Sequence, residues 1–117
     1  MKIRISNNSL RYRLTRTEVE RFAKEGSITE TTKIGEDEFT YILQRAATDK
    51  LKAVFKNNTI TLSAPQHLAH EWTNTERVGF DNNGETGLYL LVEKDFKCLD
   101  NITEDQSDNY ENPLANK

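Results

Sequence analysis

Alternation of apolar and polar residues marks two β-hairpins that lie 50 residues apart in the chain. Lys2–Ile5 and Leu10–Leu14 alternate with a period of two on either side of Asn7-Asn8. Because Asn tolerates positive φ, an Asn-Asn pair can occupy the centre of a tight hairpin turn. Residues 51–62 repeat the arrangement around Asn57-Asn58. The pattern therefore predicts two strand–turn–strand units of the same design.

Each hairpin leads into a predicted helix. Thr15-Arg-Thr-Glu18 has the spacing of a capping box, and Gly26 stands where a helix C-terminal glycine belongs, so we expect a helix over residues 16–25. Ser63-Ala-Pro-Gln66 predicts a second capping box with Pro in the first turn. The buried stripe of this second helix is expected to consist of Leu68, Ala69 and Trp72.

Four further segments complete the prediction. Residues 27–34, 39–44, 77–80 and 88–93 have strand composition. We expect an α+β fold: an antiparallel sheet or a partly closed barrel of about eight strands with two short helices. Both halves read as ββαββ, which suggests a duplication with pseudo-repeats 2–45 and 51–96. The alternative is that two unrelated hairpin–helix units resemble each other because they use the same turn and cap residues.

Length and charge define the domain and its tail. The 117 residues suffice for one α+β domain, expected over 1–99, followed by an acidic, flexible tail over 100–117 that could dock through Tyr110 and Pro113. Residues 1–25 carry seven basic and three acidic residues, whereas residues 81–117 carry three basic and nine acidic residues. The opposite signs of the two ends suggest that the tail could dock on a basic N-terminal face.

The lengths of the apolar runs and the number of cysteines indicate the cellular compartment of the protein. The longest apolar run, Leu88–Val92, is far too short to span a bilayer, and no segment resembles a signal peptide. The lone Cys98 excludes an intrachain disulfide and fits a reducing compartment. We therefore expect a cytoplasmic protein without membrane association.

The N-terminal hairpin supplies the main candidate site. Arg4, Arg11, Arg13 and Arg16 could form a basic face suited to phosphate or carboxylate groups. The alternative is an ordinary solvated outer face of a sheet. Nucleic-acid binding through these arginines is a further alternative, although such binding normally shows a basic excess and exposed aromatic residues, and this chain is acidic overall.

Two weaker candidates lie in the second half. Lys94 and Lys97 near Cys98 could lower the pKa of the thiol and make a nucleophile, and a small enzyme would then use Cys98 with Lys94 and Asp95. The alternative is a half-buried structural cysteine. His67 and His70 have an i, i+3 spacing that can bind a metal with Cys98 or Asp95, but exposed polar positions of a short helix explain them equally well. No phosphate-binding glycine loop or nucleophile elbow is present, so we expect no cofactor.

The two ends of the folded part carry a resemblance. The opening MKIRISNNSLRYRLTRTEVERFAKEG and the later LYLLVEKDFKCLD, followed by Asn112-Pro113, resemble the signature ends of a family of short bacterial proteins, a domain of unknown function. The resemblance implies a bacterial cytoplasmic origin and a self-contained small domain. It implies no activity and assigns no role to any residue.

These observations favour a non-enzymatic binding or regulatory module, monomeric or homodimeric. Its ligand would be an anionic small molecule or a protein partner, held by the basic face or by a groove between the two halves. A small enzyme that uses Cys98, and a nucleic-acid-binding protein, are the competing hypotheses. The discriminating feature is whether Arg4, Arg11 and Arg13 converge on a concavity or lie on a flat sheet.

Overall fold

Alternating apolar residues build eight strands, and two short helices connect them in the part of the chain that the structure describes. The computed structural model describes residues 1–84, 87–96, 108 and 110. Among these residues, no helix has the length and apolar character needed to cross a bilayer. The elements in chain order are β1 (Lys2–Ser6), β2 (Ser9–Leu14), α1 (Arg16–Glu25), β3 (Ser27–Ile34), β4 (Asp37–Ala46), β5 (Lys52–Lys56), β6 (Thr59–Pro65), α2 (Gln66–Asn74), β7 (Gly79–Asp81) and β8 (Tyr89–Lys94).

The strands form two four-stranded sheets, and each sheet consists of two antiparallel strand pairs. Sheet A has the order β1-β2-β8-β7, and sheet B has the order β3-β4-β6-β5. The outer pairs are antiparallel, while the central pairs β2–β8 and β4–β6 are parallel. The α+β class, the eight strands and the two short helices are confirmed. Two mixed sheets stand in place of one antiparallel sheet, and the described strands close no barrel.

The two sheets have equivalent topologies. Exchanging β1–β4 for β5–β8 converts the strand order of sheet A into that of sheet B. The central parallel pairs also correspond, because Arg13 lies opposite Glu93 in sheet A where Ser63 lies opposite Gln44 in sheet B. Duplication of an ancestral unit stays a prediction of the sequence, but the strand order has the two-fold relation that such a duplication would produce.

The core joins the inner faces of the two sheets. Tyr12 of β2 is fully buried, its hydroxyl donates to the Ile60 carbonyl at 3.3 Å, and its ring meets that of Tyr41 edge-on at 5.8 Å. At one end of the strands the helices meet through Phe22 and Trp72, whose ring centroids lie 6.1 Å apart. The two sheets therefore share one core, with both helices at one end and the Asn-Asn turns at the other.

The first helix follows its sequence signals and the second departs from them. In α1 the Thr15 hydroxyl accepts from the Glu18 amide, the Glu18 carboxylate accepts from the Thr15 amide at 2.9 Å, and Gly26 has φ +82°. The predicted second capping box is wrong. Strand β6 continues to Pro65, so the hydroxyl of Ser63 accepts from Gln44 of the neighbouring strand at 3.0 Å and caps no helix.

The described part of the tail contacts the start of α1. Asp108 accepts from the Thr17 hydroxyl at 2.8 Å, and its carbonyl accepts from the Arg16 amide at 3.1 Å. The Tyr110 amide donates to the Asp95 carbonyl at 2.9 Å. The expected contact through Tyr110 is thus present, whereas Pro113 lies outside the described residues. A flexible tail stays a prediction.

Candidate anion-binding face

The outer face of sheet A carries most of the charged residues of the N-terminal hairpin. Leu10, Tyr12 and Leu14 of β2 are buried, so the intervening Arg11 and Arg13 point to the opposite face. In the β1–β2 register, Arg4 lies opposite Arg11 and Lys2 lies opposite Arg13. The structure therefore places three of the four predicted arginines on one face. We call Arg4, Arg11 and Arg13 the arginine row.

Strand β8 brings a carboxylate to this face. Because β2 and β8 are parallel and in register, Glu93 lies beside Arg13 and Leu91 beside Arg11. The Glu93 carboxylate accepts from Arg13 Nε at 2.7 Å and lies 3.7 Å from Arg11 Nε. The Glu93 carboxylate thus neutralises the charge of Arg13 and only partly compensates the charge of Arg11.

Arg4 and Arg11 form a like-charged cross-strand pair. Residues directly opposite each other in an antiparallel pair have Cβ atoms about 4.5–5.5 Å apart on the same face, and like charges there are destabilising. Among the described residues, none forms an ion pair with Arg4. The pair therefore costs stability in the absence of an anion, and an anion placed between the two guanidinium groups would remove that cost.

Sheet B provides an internal comparison for these charges. Its equivalent residues are neutral: Val54 corresponds to Arg4, Thr61 to Arg11, and Ser63 to Arg13. Likewise Gln44 takes the place of Glu93 and donates to the Ser63 hydroxyl at 3.0 Å. Sheet B is therefore formed with uncharged side chains at these three positions, so this strand arrangement does not require the arginine row.

A hollow of about 440 Å³ adjoins the row on the side of β7. Its walls include Leu91, Glu93, Gly79, Asp81 and Arg77. Arg11 and Arg13 border it through their neighbours Leu91 and Glu93, whereas Arg4 lies on the far side of β2. Arg4, Arg11 and Arg13 do not line this hollow, so the arginine row lies beside the concavity and does not converge into it.

Arg16 belongs to a different cluster at the end of β8. Its guanidinium carbon lies 5.5 Å from the Tyr110 ring centroid, and Lys94 Nζ lies 5.2 Å from the same centroid. Burial lowers the pKa of Lys94, an effect that the nearby Glu76 opposes, and the Lys94 ammonium donates to the Thr75 carbonyl at 2.8 Å. Burial also raises the pKa of Tyr110. These contacts tie the tail to the end of β8.

Lys94 and Asp95, proposed from the sequence as partners of Cys98, have different neighbours. The Asp95 side chain is buried, with Oδ2 3.1 Å from the Lys2 ammonium, while Lys94 points toward Thr75 and Tyr110. Cys98 itself lies outside the described residues. The structure therefore places the two supporting residues of the thiol hypothesis but not the thiol.

The histidine pair lies on the exposed side of α2. His67 and His70 border a surface hollow of about 510 Å³ together with Arg45 and Gln66. Within the described residues, no cluster of three or more His, Cys, Asp or Glu side chains could hold a metal. Asp95, which the sequence offered as a further ligand, is engaged by Lys2 instead.

Two contacts of the charged side chains on sheet A were not predicted from the sequence. The contact of Glu93 with Arg13 depends on the parallel β2–β8 pairing. The pairing of Lys2 with Asp95 joins residues at opposite ends of the domain. The only signal for either was the period-two alternation of β8, which places Glu93 on the outer face.

Comparison with known proteins identifies the family. Searches of the curated proteins and of the solved structures each found no match. A family model described as a family of unknown function (DUF7009) matches residues 1–114. The resemblance to a domain of unknown function, inferred from the two ends of the sequence, is thereby confirmed, and the chain belongs to this family of unknown function.

Proposed function

We propose that the protein is a non-enzymatic binding module that holds an anionic small molecule on the outer face of sheet A. Arg4 and Arg11 are the principal contacts in this proposal. The observation that carries it is their direct cross-strand pairing, with Arg4 in no ion pair with a described residue. We place the activity in the cytoplasm because a single cysteine suits a reducing compartment.

The geometry favours phosphate or carboxylate groups as the bound chemistry. Each guanidinium offers a planar fork of donors that matches the paired oxygens of either group. Lys2 and Arg13 lie on the same face, two residues along the strands and about 7 Å away, and each already contacts a carboxylate, that of Asp95 and that of Glu93. A second anionic group at that separation would have to compete with these two carboxylates, so the Arg4–Arg11 pair is the principal contact.

Glu93 restricts where such a ligand can bind. Its carboxylate already accepts from Arg13 and would repel an anion placed directly above it. The open position therefore lies toward β1, between Arg4 and Arg11. The neutral residues at the equivalent positions of sheet B support a functional origin of these charges, because sheet B has the same strand arrangement without them.

The matched test replaces residues of sheet A by the residues at the equivalent positions of sheet B. Arg4→Val with Arg11→Thr gives the outer face the residues that stand at positions 54 and 61. Lys52→Val with Lys56→Thr removes the same number of charges from exposed positions of β5 and serves as the control. Titration calorimetry with pyrophosphate and with citrate at constant ionic strength separates phosphate from carboxylate recognition.

We expect at least one of these anions to bind to the wild type and to the β5 control, and to bind more weakly to the Arg4/Arg11 variant. Loss of about 2 kcal/mol of binding free energy, or roughly thirtyfold in Kd, corresponds to two charge-assisted contacts at an exposed site. Equal binding by both double variants would show that net charge alone attracts the anion. Absence of binding of either anion to the wild type would refute the proposal.

A further inference from the structure

An apolar groove opens between the sheets at the end opposite the helices. It has a volume of about 410 Å³ and is lined on one side by Ile5 and Leu10 and on the other by Phe39, Phe55 and Ile60. Among the residues that the structure describes, the side chains that line it are uncharged. Phe55 is 69% exposed and Ile5 is 63% exposed, so apolar surface lies open on both sides of the groove. Exposed apolar side chains grouped on one surface are typical of interaction sites.

Strand β5 combines this apolar surface with an open backbone edge. It is the last strand of sheet B, and no described strand pairs with its outer side. Alternate residues of an edge strand direct their N–H and C=O groups away from the sheet, which provides a template for an added strand. Val54, on the face opposite Phe55, is also 60% exposed. The centre of β5 is therefore apolar on both faces.

The two lysines of β5 disfavour pairing with a second copy of the same strand. Full antiparallel overlap centred on Val54 would place Lys52 of one copy opposite Lys56 of the other, at both ends of the pair. Like charges directly opposite each other destabilise a strand pair. The same lysines would attract a strand that carries acidic residues at those two positions.

We propose that the outer edge of β5 binds an extended partner segment in which three apolar residues are flanked by acidic residues. The segment adds antiparallel to β5 and extends sheet B by one strand. Its acidic residues lie opposite Lys52 and Lys56, and its central residue lies beside Val54. The two remaining apolar side chains lie on the side of Phe55 and cover the groove. This interaction is separate from the anion-binding face, which lies on the other sheet.

The probe is the blocked heptapeptide GEVIVEG. Two further peptides are the controls: GKVIVKG reverses the flanking charges, and a form of GEVIVEG that is N-methylated on alternate residues keeps the side chains but cannot form strand hydrogen bonds. Binding is followed in proton–nitrogen correlation spectra and by hydrogen exchange of the β5 amides. Sedimentation of the free protein reports self-association.

We expect GEVIVEG to shift the amides of β5 and of the groove and to slow exchange along β5. Lys52→Glu with Lys56→Glu should weaken GEVIVEG roughly tenfold and should favour GKVIVKG instead, because two attractive cross-strand pairs become repulsive. Lys33→Glu on β3, at the opposite edge of sheet B, should leave both affinities unchanged.

Three results would overturn the proposal. The N-methylated peptide could bind with the same affinity as GEVIVEG, which would show that the groove binds apolar side chains without strand addition. The peptide could leave the β5 amides unshifted. The free protein could form a dimer in which the β5 amides are protected from exchange, which would assign the edge to a second copy of the chain.

Discussion

Replacing Arg4 by a neutral or acidic residue should stabilise the protein. Arg4 lies directly opposite Arg11, so the Gln variant removes a like-charge contact and the Glu variant replaces it by an attractive one. A protein that keeps such a pair sacrifices stability at this position, which is expected of a binding site and not of a purely structural surface.

The magnitude follows from the cross-strand geometry. Each favourable or unfavourable charge pair on a sheet is worth about 0.2–1 kcal/mol, so Arg4→Gln should add about 0.2–1 kcal/mol and Arg4→Glu about 0.4–2 kcal/mol to the free energy of unfolding. For 117 residues the unfolding entropy is about 0.25 kcal/mol per degree, so Arg4→Glu should raise the Tm by roughly 2–8 °C. At about 1 M salt, where the screening length is about 3 Å, most of this gain should disappear.

The assay is thermal unfolding of the wild type and both variants at low and high salt. Lys52→Gln and Lys52→Glu are the controls, because Lys52 occupies the equivalent edge strand of sheet B but lies opposite the neutral Ser63. An unchanged or lowered Tm of Arg4→Glu at low salt would show that Arg4 and Arg11 do not repel each other. An equal rise in the Tm of the Lys52 variants would show that the gain is not specific to this pair.

Three further predictions concern the fold. Gly79→Ala should lower the free energy of unfolding in urea by about 1–3 kcal/mol, because its Cβ would lie 2.5 Å from the Val92 carbonyl oxygen; full stability would contradict this packing. Phe22→Ala and Trp72→Ala should each lower the free energy of unfolding by about 3–5 kcal/mol. A double-mutant cycle should give a coupling energy of about 0.5–1.5 kcal/mol between the two rings, and strictly additive effects would contradict their contact. Burial raises the pKa of Tyr12 above its ordinary value of 10.0, so the unfolded chain loses this proton first and the free energy of unfolding should fall as the pH rises above 10. Tyr12→Phe should make that fall shallower by up to about 1.4 kcal/mol per pH unit. An unchanged slope would contradict this prediction.

Local signals predicted the elements of this fold well because their causes are local. The capping box of Thr15 and Glu18 together with Gly26 predicted α1, and the structure confirms its bounds. Period-two alternation predicted which arginines of β2 share the outer face. The error at Ser63 has a local cause as well: a hydroxyl that suits a helix cap can also serve a neighbouring strand, and β4 supplied Gln44 as its donor.

Pairing between distant strands could not be predicted in the same way. The sequence contains no signal that β2 and β8 lie parallel, and this pairing alone brings Glu93 to Arg13. The division into two sheets depends on where each hairpin docks, which is a property of the whole core. The candidate site was therefore predicted as a set of cations, while its counter-ion and its open position between Arg4 and Arg11 required the structure.

The most direct test of the anion-binding proposal is a titration of the nitrogen-15-labelled chain with pyrophosphate, followed by proton–nitrogen correlation spectra at constant ionic strength. We expect saturable shifts of the Arg4 and Arg11 amides and of their neighbours on β1 and β2, with the equivalent amides of Val54 and Thr61 unchanged. Shifts spread evenly over the basic surface, or shifts centred on any other part of the domain, would contradict it.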